Sequence, residues 1–119
     1  MLVLQSKLQQ IGEAYSKSIA NSFHYTRPKG LTSFLVWQED GEGNSFHFDL
    51  HGREQGIHGT TDYYTQTEYD ENIDTIQAIN NSLFIVWRLN SVQYEEDTKF
   101  IHYEWEWTVA DGEEQSGRV

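Results

Sequence analysis

From Phe100 to Val109 the chain reads Phe-Ile-His-Tyr-Glu-Trp-Glu-Trp-Thr-Val, and apolar and polar side chains alternate along it. Ile101, Tyr103, Trp105, Trp107 and Val109 fall on one side, His102, Glu104, Glu106 and Thr108 on the other. Successive strand residues project to opposite faces, so the pattern predicts a strand with one buried aromatic face and one wet, acidic face. Each large aromatic on the buried side contributes roughly 1.5–3 kcal/mol through burial alone. On the wet side Glu104 and Glu106 stand about 7 Å apart.

A different period opens the chain. Leu4, Leu8, Ile11, Tyr15, Ile19 and Phe23 follow one face of a helix, while Gln5, Gln9, Gln10, Glu13 and Lys17 fall elsewhere. This predicts an amphipathic helix of about five turns, weakened at Asn21 and Ser22 and finished before Pro28. Leu31 to Gln38 reads as a strand, and Asp40 to Asn44 as a Gly-rich turn. Ser45 to Leu50 alternates again, which makes a hairpin. His51 to Tyr69 has no period and reads as a long loop, or a loop holding an irregular edge strand over Gly59 to Thr65.

Asp70 to Asn80 carries the marks of a second helix, with Asp70 as N-cap and Ile73, Ile76 and Ile79 or Asn80 on one face. Leu83 to Leu89 fits either a buried strand or a continuation of that helix. Its β-branched and aromatic residues favour the strand, extended by Asn90 to Tyr94. Glu95 to Thr98 then turns the chain into the Phe100–Val109 strand, and a polar tail over 112–119 is expected to fray. The order is α-β-β, loop, α-β-β. Its simplest packing is a two-layer α+β domain, a four-stranded antiparallel sheet with both helices on one face.

The 119 residues suit one domain, and the absence of cysteine removes disulfides and thiolate zinc sites. The N-terminus lacks the pattern of a signal peptide, and no apolar run is long enough to span a membrane; a cytoplasmic protein is expected. Charge changes the picture more. The formal net charge is −11; before residue 68 seven acids face five bases, −2, and from Glu68 onward twelve face three, −9. Such a field repels nucleic acid and anionic membrane and draws in basic partners.

Several residues invite a chemical reading. His47, Asp49 and His51 share a strand face and suit a divalent ion in type, but the ends of the triplet lie about 13 Å apart. A bend, or help from His102, would be needed, so neither a metal nor a cofactor is expected. His102, Glu104 and Glu106 could form an acid–base set, yet equally spaced residues on an open strand rarely converge. With no nucleophile elbow, phosphate loop, dinucleotide fingerprint or zinc-protease helix, an enzyme is not expected. Interface and structural roles both stay open for Tyr63, Tyr64, Tyr69 and Tyr94.

In plan and composition the chain resembles bacterial immunity proteins. The helix over Leu4–Phe23, the aromatic strand Phe100–Val109 and the acidic second half carry the likeness, with no diagnostic motif. The resemblance implies a cognate inhibitor that neutralises a toxin domain, often a basic nuclease. Phage-encoded inhibitors that mimic DNA with carboxylates share these features, and a non-catalytic ligand-binding module is a third reading. For an inhibitor, Glu104, Glu106, Glu95, Glu96 and Asp97 are the expected partner-binding carboxylates, with Tyr63, Tyr64 and Tyr94 as aromatic anchors.

Overall fold

A computed structural model of the chain describes residues 3–43 and 56–110. Helix α1 spans Val3–Ser18, and the strands and second helix follow as β1 (Ser22–His24), β2 (Ser33–Gly43), β3 (Gly56–Thr65), α2 (Asn72–Leu83), β4 (Val86–Glu95) and β5 (Phe100–Ala110). The class is α+β as expected, but among the described residues the sheet has five strands rather than four and is mixed rather than antiparallel. Its order is β1-β2-β3-β5-β4, with β1 parallel to β2 and every other pair antiparallel.

The first helix is shorter than its apolar period suggests. It stops at Ser18 because Asn21 is captured by β2: its carbonyl accepts the Leu35 N–H at 2.8 Å and its side-chain amide donates to the Ser33 carbonyl at 3.0 Å. Phe23 therefore lies on β1, packed against a cluster of Phe34, Val36, Tyr64 and Phe100. Ile11, Tyr15 and Ile19 keep the core role the pattern gives them, while Leu4 is exposed.

β2 runs straight through the expected turn at Asp40–Gly43, with a bulge between Glu39 and Gly41 where Gly41 takes φ +141°. The expected partner strand over 45–50 lies outside the described residues. Instead β2 pairs with β3, which occupies the stretch read as a loop and is a central strand, not an edge. It lacks a clean apolar period because its buried, core-facing positions include Gly59, Thr61 and Thr65, and glycine fits where a neighbour needs the space. A Cβ on Gly59 would stand 2.3 Å from the Trp107 ring and 2.4 Å from the Gln38 carbonyl oxygen.

At α2 the helical reading ends at Leu83 and the strand starts at Val86, so Phe84 and Ile85 divide the two alternatives. The N-cap is Glu71, which makes no side-chain cap, rather than the expected Asp70; Asp70 stands one residue earlier, where its Oδ1 accepts the Asn72 N–H at 2.9 Å. Between β4 and β5 the hairpin closes with Lys99 at φ +67°, whose N–H donates to the Glu95 carbonyl at 2.8 Å.

Both helices lie on one face of the sheet. Ile11, Tyr15 and Ile19 from the α1 region and Ile76 from α2 join Leu35, Trp37, Ile57, Tyr63, Trp105, Trp107 and Val109 in one core. The Phe23–Phe100 cluster covers the other face at its β1–β2 side. Among the described residues, what remains uncovered there is the strip formed by β3, β5 and β4.

Candidate binding face of the sheet

Alternation decides which side chains reach the open strip. β3 contributes His58, Thr60, Asp62 and Tyr64; β5 contributes His102, Glu104 and Glu106; β4 contributes Arg88, Ser91, Gln93 and Glu95. The ladder sets Asp62 directly across from Glu104, Thr60 from Glu106 and Tyr64 from His102. On the far side Arg88 faces Glu106, Ser91 faces Glu104 and Gln93 faces His102.

Two carboxylates side by side on adjacent strands repel, so the Asp62–Glu104 pair is a local cost to the fold. Neighbours soften it. His102 Nε2 lies 2.7 Å from Asp62 Oδ1, and its Nδ1 lies 3.9 Å from Glu95 Oε2. Glu104 accepts from Asn90 Nδ2 at 3.3 Å and from Ser91 Oγ at 3.4 Å, and Glu106 pairs with Arg88 at 3.2 Å. Towards β2, His58 Nδ1 lies 2.7 Å from Asp40 Oδ1. The Tyr64 phenol registers the resulting field: burial raises its pKa most, Asp62, Glu95 and Glu104 add to the rise, and Arg27 opposes it. That guanidinium lies 4.3 Å from the centre of the Tyr64 ring.

The expected partner residues divide. Glu104 and Glu106 are half-exposed on the open strip, Glu95 closes β4, and Glu96 and Asp97 are exposed in the turn beyond it. Tyr94 is 57% exposed but projects from β4 on the helix side, away from the two glutamates. Tyr63 and Tyr64 are corrected: at 0% and 8% exposure neither stands out as an anchor. The Tyr63 hydroxyl donates to Asp70 Oδ2 at 2.9 Å and accepts from Asn72 Nδ2 at 2.8 Å, which ties β3 to the start of α2. The sequence pattern does not single out Asp62, Asp40 or Arg88. Asp62 falls in the stretch without a period, and only knowledge that β3 is a strand puts it beside Glu104.

A second hollow lies on the helix side, between α1 and the β1 edge. About 580 Å³ in volume, it is lined by Gln5, Leu8, Gln9, Gly12, Ser16, Ser22, His24 and Trp37. His24 is stacked between the rings of Trp37 and Tyr25, each with its centre 3.7 Å away. Its Nε2 lies 2.9 Å from Glu39 Oε1, and the Tyr25 hydroxyl donates to the other oxygen of that carboxylate. Burial raises the pKa of Glu39, but the hydrogen bonds from Tyr25 and His24 outweigh it and leave the group below its ordinary value. Tyr25, at φ +76°, holds a backbone conformation costly for a bulky residue.

Among the described residues no three His, Asp or Glu side chains gather as a metal site, and no helix is long and apolar enough to cross a membrane. The His47, Asp49 and His51 triplet lies outside those residues. Searches against protein-family models and against curated proteins give no match for this chain.

Proposed function

We propose that this protein is a small acidic inhibitor, of the kind bacterial immunity proteins represent, which binds and neutralises a basic toxin domain of the nuclease class in the cytoplasm. The observation that carries the reading is the Asp62–Glu104 pair on the open strip, flanked by Glu95 and Glu106. Like charges on adjacent strands cost stability in the free chain, and a partner's lysines and arginines would remove that cost on binding. A nuclease presents such bases where the phosphates of its substrate lie. The −9 half of the chain draws that surface in and raises the association rate.

Isolation of bound proteins from the native host identifies the partner, and two further measurements test the mode. Association should slow markedly between low and physiological salt, while dissociation changes little. Glu104→Lys combined with Glu106→Lys should abolish protection without unfolding the domain. Full protection by that double variant would mean that the open strip is ordinary solvated surface.

The 580 Å³ cleft favours a second reading, a non-catalytic ligand-binding module. Its glutamine and serine groups above an aromatic floor suit a small polar molecule. Gly12→Leu, which fills the cleft beside Trp37, separates the two readings: it should leave protection intact in an inhibitor and remove ligand binding in a module.

A further inference from the structure

The two edges of the sheet are unlike. β1 is three residues long, whereas β4 runs for ten, and among the described residues β4 has a strand neighbour on its β5 side only. Proteins blunt open edges with short strands, lysine, proline or bulges. β4, Val-Trp-Arg-Leu-Asn-Ser-Val-Gln-Tyr-Glu, has no lysine, proline or glycine, and it exposes Val86, Leu89, Val92 and Tyr94. Its one irregularity is a bulge at Asn90, which has no partner on β5.

We propose that β4 is the seam of a homodimer, in which two copies pair their β4 strands antiparallel about a two-fold axis at Val92. The strand is complementary to itself in that register. With Asn90 looped out, as it already is against β5, Val92 meets its own copy and Ser91 meets Gln93 of the second copy. Further out, Leu89 meets Tyr94 and Arg88 meets Glu95, each pair on one face of the sheet. Arg88 is the only base in the strand and Glu95 its only acid, so the sole charges meet as two symmetric ion pairs.

On the helix side the same register gathers Leu89, Val92 and Tyr94 from both copies into one apolar patch. The axis runs perpendicular to the sheet, so both open strips face the same way. A dimer would therefore present two acidic surfaces side by side. The proposal does not depend on the inhibitor reading, because it rests on β4 alone.

Charge reversal in trans tests it. The native chain, followed by light scattering or sedimentation over a concentration series, should move from a mass of 13.9 kDa towards twice that value. Arg88→Glu alone and Glu95→Arg alone each turn two attractions into two repulsions and should weaken association roughly tenfold or more. Mixed one to one, the two variants should recover it, since positions 88 and 95 then carry opposite charges at both contacts of the mixed dimer. Rescue cannot occur within a chain, because the two positions lie about 20 Å apart along the strand.

Val92→Lys, which sets like charges against each other on the axis, should weaken the dimer in the same way. The Arg88 side chain is 69% exposed, and circular dichroism of each variant should match the native chain. A native chain that stays monomeric throughout overturns the proposal. So does a dimer untouched by both reversals, or a mixture that recovers nothing.

Discussion

The Tyr15 hydroxyl donates a 2.6 Å hydrogen bond to Asn80 Oδ1, and it joins α1 to α2 where neither side chain meets solvent. A phenol has one proton to give, so the 2.9 Å contact between Tyr15 and Thr61 must have Thr61 as donor. Thr61 in turn accepts from Trp107 Nε1 at 2.9 Å. The chain of donors therefore runs in one direction, from β5 through β3 and α1 to α2. It ends on Asn80, whose Nδ2 is buried with no partner among the described residues.

Removing the middle of that chain should be felt at both ends. Tyr15→Phe is expected to cost about 1–3 kcal/mol in urea unfolding, because Asn80 Oδ1 and the Thr61 hydroxyl lose their partners together. Asn80→Leu removes the unpaired amide as well as the acceptor. The double variant should then be more stable than the sum of the two singles implies. Strict additivity would show that the network is not coupled.

The two sides of β5 should respond oppositely to substitution. Trp105 is fully buried and its Nε1 donates to Gln77 Oε1 at 3.1 Å, so Trp105→Ala should cost about 3–5 kcal/mol, much of the stability of a small domain. Among the described residues Glu106 pairs only with the exposed Arg88 side chain, and Glu106→Gln should change stability by less than about 1 kcal/mol. The reverse ranking would put the aromatic residues on the wrong face.

Gly59 is expected to tolerate no side chain. Gly59→Ala should destabilise the domain by about 1–3 kcal/mol, since the added carbon meets both the Trp107 ring and the backbone of β2. The partner ring can yield but the strand cannot. Trp107→Leu should therefore relieve only part of the penalty, and an unfolding midpoint equal to the native one would count against the close approach.

Alkaline pH should unfold the domain with tyrosine ionisation as the driving step. Burial first raises the pKa values of Tyr15, Tyr63, Tyr64 and Tyr103 above the ordinary 10.0, and the hydrogen bond to Glu39 does most to raise that of Tyr25. A raised value means that the folded state holds the proton more tightly. That contribution is complete below the unfolded value of 10.0 and is lost as pH climbs through the higher folded values. Tyrosinate absorbance should rise together with loss of far-ultraviolet ellipticity above about pH 10. Full tyrosine ionisation in a chain that keeps its ellipticity would contradict the burial.

How much of this can be read from the chain depends on where each element sits. β5 is legible because one of its faces meets the core and the other meets water, which writes a period of two into the sequence. α1 and α2 are legible for the same reason with a period of 3.6. β3 leaves no such trace. Its core-facing side alternates with an open one as in β5, but the core-facing side carries Gly59, Thr61 and Thr65 beside Ile57 and Tyr63, so no apolar period is written. Gly59 answers to Trp107, and Thr61 to Tyr15 and Trp107, which lie far away in sequence. The candidate face is half visible in consequence: Glu104 and Glu106 come from the legible strand, Asp62 from the silent one. Phe23 misleads because it continues the helical period by coincidence, and the capture of Asn21 by β2 is a tertiary event.

The position of β5 also governs when the domain can form. It is the last of the described strands to be made, yet it lies between β3 and β4, and its pairing with β3 joins Thr65 to Ile101 and Gly56 to Ala110. Contacts so distant in sequence must close long loops before they stabilise anything, which places folding on the slow side for a chain of this size. During synthesis, α1 through β4 emerge without Trp105 and Trp107, the two largest of the fully buried side chains. Until those tryptophans leave the ribosome, β3 has an open edge and the helices meet only the β2 and β3 part of the core, Leu35, Trp37, Ile57 and Tyr63. The five-stranded order is therefore completed only once β5 has been made, and a chain stopped before Phe100 lacks the strand that joins β4 to β3.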